Sequence, residues 1–146
     1  MNEAPPLPAA AQKRDSDHLT LLAIFHFIGG GLAVLGLLFL AGHFMLMHEI
    51  FTNPKFMAGQ KGGPSPAEIF GIVKWVYLVI GVWCVVSGML NVISGFCLRA
   101  RKARTFSLVV AGINCLHLPL GTVLGVFTLI VLLRDSVREL YAECRH

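Results

Sequence analysis

Charge is scarce in this sequence. Asp, Glu, Lys and Arg make up 14% of its 146 residues, whereas a soluble domain carries roughly 25% to cover its water-facing surface. The shortage is also uneven. None of the 12 basic and 8 acidic residues falls in 19–47, 75–98 or 105–133, stretches of 29, 24 and 29 residues. About 20 apolar residues suffice to span a bilayer. These runs exclude a water-soluble fold and predict an all-α, polytopic helical membrane protein.

Catalytic patterns are missing too. There is no Ser/His/Asp arrangement, no HExxH, no phosphate-binding loop and no dinucleotide fingerprint. Only two acidic residues, Glu49 and Glu68, fall on the outer side of the expected topology, too few for an acid–base site. The cysteines (Cys84, Cys97, Cys115, Cys144) are scattered without any CxxC and read as small buried hydrophobes. No enzymatic activity and no cofactor are expected. The net charge of +4 does not point to nucleic acid. Its densest basic cluster, Arg99, Arg101, Lys102 and Arg104, directly follows an apolar span, where basic residues hold a loop in the cytoplasm.

What is present divides simply. Residues 1–17 are Pro- and Ala-rich, then charged, and are expected to form a disordered cytoplasmic tail. Residues 18–146 are expected to form a single transmembrane helical domain. Asp17 is placed to cap a first span over 19–47, which the charged tail marks as an uncleaved anchor rather than a secretory signal. Residues 48–64 carry Asn53-Pro54, Gly59, Gly62, Gly63 and Pro64 and read as a loop. Ser65, Pro66 and Glu68 then form a capping box that starts a second span, ending at Leu98. Trp75, Tyr77 and Trp83 suit an outer interfacial belt, with Lys74 snorkelling beside them.

Residues 105–133 admit two readings. Length favours one helix, giving three long transmembrane helices. Charge and turn chemistry favour two shorter helices turning at Leu118-Pro119-Leu120-Gly121-Thr122. With both termini inside, nine Lys and Arg are cytoplasmic and three (Lys55, Lys61, Lys74) external; with the C-terminus outside the split is six to six. Orientation follows that bias. The expected architecture is therefore two full-length spans plus a C-terminal hairpin of two shorter helices, with the N-terminus cytoplasmic. Residues 132–143 follow as an amphipathic helix, Leu133, Val137, Leu140 and Tyr141 on its apolar face, lying along the bilayer surface.

A further pattern runs from Arg101 to Tyr141: Thr105-Phe106, Leu108-Val109-Val110-Ala111-Gly112, Cys115-Leu116, Pro119, Gly121-Thr122, Leu124-Gly125 and Phe127 to Leu132. This stretch resembles small bacterial multi-span membrane proteins of unknown function. The apolar run closed by glycines between His18 and Gly31 is similar to them too. The resemblance covers about half of the chain and is moderately specific. It implies a bacterial origin and a compact helical hairpin near the C-terminus, and it brings no activity, ligand or catalytic residue with it.

Four groups of residues are candidates for function. At 1.5 Å per residue, His26 and Asn91 each lie ~10 Å from the cytoplasmic face and Asn114 ~13 Å, so three polar side chains share one layer. Such groups face the protein interior and fix helix packing, or else line a path. No two histidines of the spans match in depth, with His117 at ~18 Å and His43 at ~36 Å, which disfavours bis-histidine haem. At the outer end of the first span, His43, Met45, Met47 and His48 offer soft ligands of the kind copper takes. Gly29 and Ala33, together with Gly121 and Gly125, provide small-residue faces for close helix approach. The basic residues Arg99, Arg101, Lys102 and Arg104 set topology.

Together these features predict a non-enzymatic protein of the bacterial inner membrane. It would act through helix contacts with lipid, with other membrane subunits or with itself. A small transporter or channel using the His/Asn layer is the second reading, and a copper-binding protein the third.

Overall fold

A computed structural model describes residues 9–54, 65–117 and 119–143. Among these described residues five helices follow one another: α1 (Ala9–Thr52), α2 (Pro66–Arg99), α3 (Arg104–Asn114), α4 (Leu120–Leu132) and α5 (Asp135–Glu143). Two helices, over Gln12–Thr52 and Glu68–Arg99, are long and apolar enough to cross a membrane. The C-terminal third is a hairpin of two shorter helices, not a third long one. Its limbs have 11 and 13 residues, about 17 and 20 Å, and neither alone covers a hydrocarbon core of about 30 Å.

Local chemistry explains most of the boundaries. The Ser65 amide donates to Glu68 Oε2 at 3.0 Å, and the Glu68 amide donates to Ser65 Oγ at 3.2 Å. Two amides of the first turn of α2 are thus satisfied reciprocally. The connection from α2 to α3 is tight and places Arg101 (φ 52°) and Ala103 (φ 49°) in the left-handed region, which side chains with a Cβ adopt at a cost. The α3–α4 turn closes its own backbone groups. The His117 amide donates to Asn114 O at 2.9 Å, and the Thr122 amide to His117 O at 3.1 Å. The Thr122 hydroxyl donates to Cys115 O at 3.0 Å. Irregular backbone among apolar segments survives only when its polar groups are met in this way.

Five expectations are corrected. Residues 9–17 are helical, not a disordered tail, and α1 runs to Thr52 rather than stopping at 47; residues 1–8 lie outside the described chain. Asp17 caps nothing, because it stands exposed inside α1. The C-terminal helix begins at Asp135, so Leu133 is not on it and is exposed. Its apolar face does not turn to a bilayer surface. Val137 and Leu140 are buried, and Val137 packs in one cluster with Leu19, Leu22, Ala23, Leu98, Val131 and Leu132, with Tyr141 against it.

The chain forms two compact units: Met1–Gly30 with Met89–His146, and Gly31–Gly88. The first contains the apolar core just described. Its register between α1 and α2 is set by two contacts of small residues, Gly29 against the Asn91 side chain and Gly95 against the Phe27 ring. The second unit holds an aromatic cluster, with Phe44 5.6 Å from Phe70 and 5.3 Å from Tyr77 between ring centroids. Gly81 packs on Leu37 and Leu40. Most of the large apolar side chains of this unit are exposed, among them Leu35, Leu38, Phe39, Ile72, Trp75 and Val79.

Candidate functional site

The strongest polar feature in the apolar interior belongs to the first unit. Asn91, on the last third of α2, and Asn114, at the end of α3, are both buried. Asn91 Nδ2 donates to Asn114 Oδ1 at 3.0 Å, and Asn114 Nδ2 donates back to Asn91 Oδ1 at 2.8 Å. This is a reciprocal amide pair. Each side chain supplies one donor and one acceptor, and four groups that would be costly to leave unmet satisfy one another.

His26, the third member of the expected layer, is fully buried but turns back on its own helix. Its Nδ1 lies 2.9 Å from Leu22 O, while Nε2 is buried with no hydrogen-bond partner among the described residues. The contacts of Gly29 with Asn91 and of Gly95 with Phe27 place His26 near the level of Ser94, which is also buried. All three residues of the expected layer are buried, but only the two amides meet, and the histidine bonds within its own helix.

The small-residue positions divide. A Cβ on Gly125 would meet Ala111 O and would lie 2.6 Å from Cys115 Sγ. A Cβ on Gly121 would meet His117 Cβ and lie 2.6 Å from Asn114 O. Both glycines of GxxxG are consumed inside the α3–α4 hairpin, where they let α4 touch the backbone of α3. Gly29 faces Asn91, whose amide oxygen would be 3.6 Å from an added Cβ. Ala33 is half-buried.

At the far end of α1 the two histidines of the expected soft-ligand group have aromatic partners. His43 Nδ1 is hydrogen-bonded to the Tyr77 hydroxyl, and its ring stacks between Tyr77 and Phe39, 5.7 and 6.1 Å away. His48 packs edge-on against Phe70 at 5.6 Å. Met45 is exposed and Met47 half-buried. Among the described residues no three His, Cys, Asp or Glu side chains come together as metal ligands.

The basic residues have structural partners that spacing alone did not reveal. Arg101 Nη2 donates to Ser16 Oγ at 2.7 Å, tying the loop to the first turns of α1. Arg104 Nε donates to Leu132 O at 2.8 Å and so satisfies a carbonyl at the C-terminus of α4, where a cation is also favoured by the helix dipole. Arg99 and Lys102 are exposed. Beside this loop, Arg134 Nη1 stands 3.7 Å from Asp15 Oδ1, and Asp15 is buried. Sequence reasoning missed Asp15, Ser16 and Arg134 because their partners are more than 80 residues away. The one available signal was the i, i+4 spacing of Asp15 to the apolar Leu19.

Comparison with family models, with curated proteins and with solved structures finds no match to this chain.

Proposed function

We propose that this chain is a non-enzymatic integral protein of a bacterial inner membrane, with a cytoplasmic N-terminus. It works through helix–helix contacts, as an accessory or assembly subunit of a larger membrane complex or as a homo-oligomer. The observation that carries this reading is the exposure of α2: none of its most apolar window is buried within the chain, and only 22% of that of α1 is. Helices of that composition and length are left to be covered by lipid or by neighbouring helices. The Asn91–Asn114 pair supports the same reading over a transport path, because the amides meet each other rather than line a channel. The hydrogen bond between His43 and Tyr77 likewise favours packing over copper binding at the outer end.

The orientation rests on the basic residues. Val137 packs with Leu19 and Leu22, and Arg134 pairs with Asp15, so the C-terminal helix returns to the start of α1. The two ends of the described chain then share one side, where eight described Lys and Arg residues gather (Lys13, Arg14, Arg99, Arg101, Lys102, Arg104, Arg134 and Arg138), and the positive-inside rule assigns that side to the cytoplasm.

Purification of the full chain from its native membrane in mild detergent, followed by mass spectrometry of what stays bound, tests the reading. A stoichiometric protein partner or a defined homo-oligomer is expected. A monodisperse monomer that moves a solute across reconstituted vesicles, and loses that flux on Asn91→Leu, overturns it in favour of a transporter.

A further inference from the structure

A cavity of about 590 Å³ opens at the charged end of the first unit, lined by Arg14, Asp15, His18, Arg134, Asp135 and Ser136. The first three come from α1 just before its charge-free run begins at Leu19, and the others from the bend where α4 gives way to α5. The cavity therefore sits at the polar margin of the apolar segments, at headgroup level.

Its chemistry is of both signs. Asp15 is 3% exposed, yet among the described residues its one ion partner, Arg134, stands 3.7 Å away, too far for a hydrogen bond. A buried carboxylate held so loosely keeps acceptor capacity for a better donor. Two guanidinium groups, the exposed Arg14 and the partly exposed Arg134, supply positive charge. The Asp135 carboxylate is offset by Arg138, 3.3 Å away. A simple anion entering here would meet the Asp15 carboxylate, and a simple cation would meet two arginines. A molecule carrying a phosphate and a primary amine a few bonds apart matches both.

We propose that this cavity binds a phosphate–amine zwitterion of the phosphoethanolamine type, its phosphate against Arg14 and Arg134 and its ammonium on Asp15. The proposal rests on the membrane location of the apolar segments and not on any protein partner. The same chemistry occurs as a phospholipid headgroup and as a soluble phosphate ester, and the two sources separate experimentally.

The full chain in mild detergent is titrated calorimetrically with dihexanoyl phosphatidylethanolamine, phosphatidylcholine and phosphatidylglycerol, and with soluble O-phosphoethanolamine. The ethanolamine lipid is expected to bind about tenfold tighter than the choline lipid, whose quaternary nitrogen has no N–H to give Asp15, and about tenfold tighter than the glycerol lipid. Arg14→Gln, at an exposed position, weakens binding of the ethanolamine lipid by about the same factor. Asp15→Asn abolishes the preference among headgroups; if that variant does not fold, Arg14→Gln decides alone. Equal binding of O-phosphoethanolamine and the lipid assigns the site to a soluble ester, and binding of the lipid alone assigns it to a headgroup. Indifference to headgroup, unchanged affinity in Arg14→Gln, or no binding of either ethanolamine compound overturns the proposal.

Discussion

The side-chain amides of Asn91 and Asn114 hydrogen-bond to each other in both directions, at 3.0 and 2.8 Å, across the contact between α2 and α3. Removing one partner strands the other amide in the apolar interior. Asn91→Leu is expected to destabilise the protein by about 1 kcal/mol, within the range of interhelical hydrogen bonds in membranes. The double substitution Asn91→Leu, Asn114→Leu should cost less than the two single changes added together, since it leaves no unmet amide. Unfolding in mixed micelles measures all three, and strict additivity would dismiss the pair as a unit.

Gly125 and Gly112 make a matched test of the hairpin. An added side chain at Gly125 meets the α3 backbone at Ala111 and the Cys115 sulfur, whereas at Gly112 nothing among the described residues lies within 4 Å. Gly125→Val should cost about 1–3 kcal/mol by overpacking and open Cys115 to a membrane-permeant maleimide. Gly112→Val should leave labelling unchanged. Equal labelling of the two variants would mean that α4 does not rest on α3.

The capping box at Ser65 and Glu68 holds the start of α2 by two reciprocal bonds. Ser65→Ala is expected to lower stability by about 1 kcal/mol, and Ser65→Asp to restore most of it. Thermal unfolding in detergent reads this directly. A Ser65→Ala protein as stable as the parent would show that the box contributes nothing.

Arg104 donates to the carbonyl of Leu132 at the end of α4. Arg104→Gln should cost about 1 kcal/mol and speed amide hydrogen exchange in α4 and α5 while leaving α2 unaffected. Uniform exchange across the chain would remove Arg104 from that role.

Reporters fused to the two ends should fall on one side of the membrane, and that side should be cytoplasmic. A phosphatase fusion active at either terminus would overturn the assignment, and opposite results at the two ends would deny the hairpin its return.

Much of this architecture could be read from residue order, for local physical reasons. The long charge-free runs mark α1 and α2 because apolar length is an additive property of neighbouring residues. Ser65-Pro66-Ala67-Glu68 marks a helix start because a capping box is complete within four residues. The hairpin followed from charge balance and from Pro119 and Gly121. Residues 9–17 were misread because a polar run with prolines ahead of it resembles a tail. Their helix is tied at a distance, by Arg101 on Ser16. The run Ala9-Ala10-Ala11-Gln12-Lys13, all good helix formers, was the neglected local cue. For α5 the amphipathic pattern was correct and its use was not. A stripe of Val137 and Leu140 fits lipid and protein alike, and only the position of Leu19 and Leu22 decides between them. The candidate polar layer shows the same division: depth follows from counting, but which polar groups meet depends on helix rotation.

The short limbs of the α3–α4 hairpin bear on how the chain is made. An insertion apparatus that selects segments by length and apolarity finds two it can release into the bilayer, and neither limb qualifies by itself. Only the α4–α5 pair taken together, bent by 71°, has the length and apolarity of a span, so the last third of the chain is expected to be installed by folding onto the first two helices. It is synthesised after Leu19, Leu22 and Leu98 are already in place, so the surface that receives Val131, Leu132 and Val137 exists before they emerge. A chain truncated after Leu98 should still integrate, and the missing third, supplied separately, should associate with it late in biogenesis.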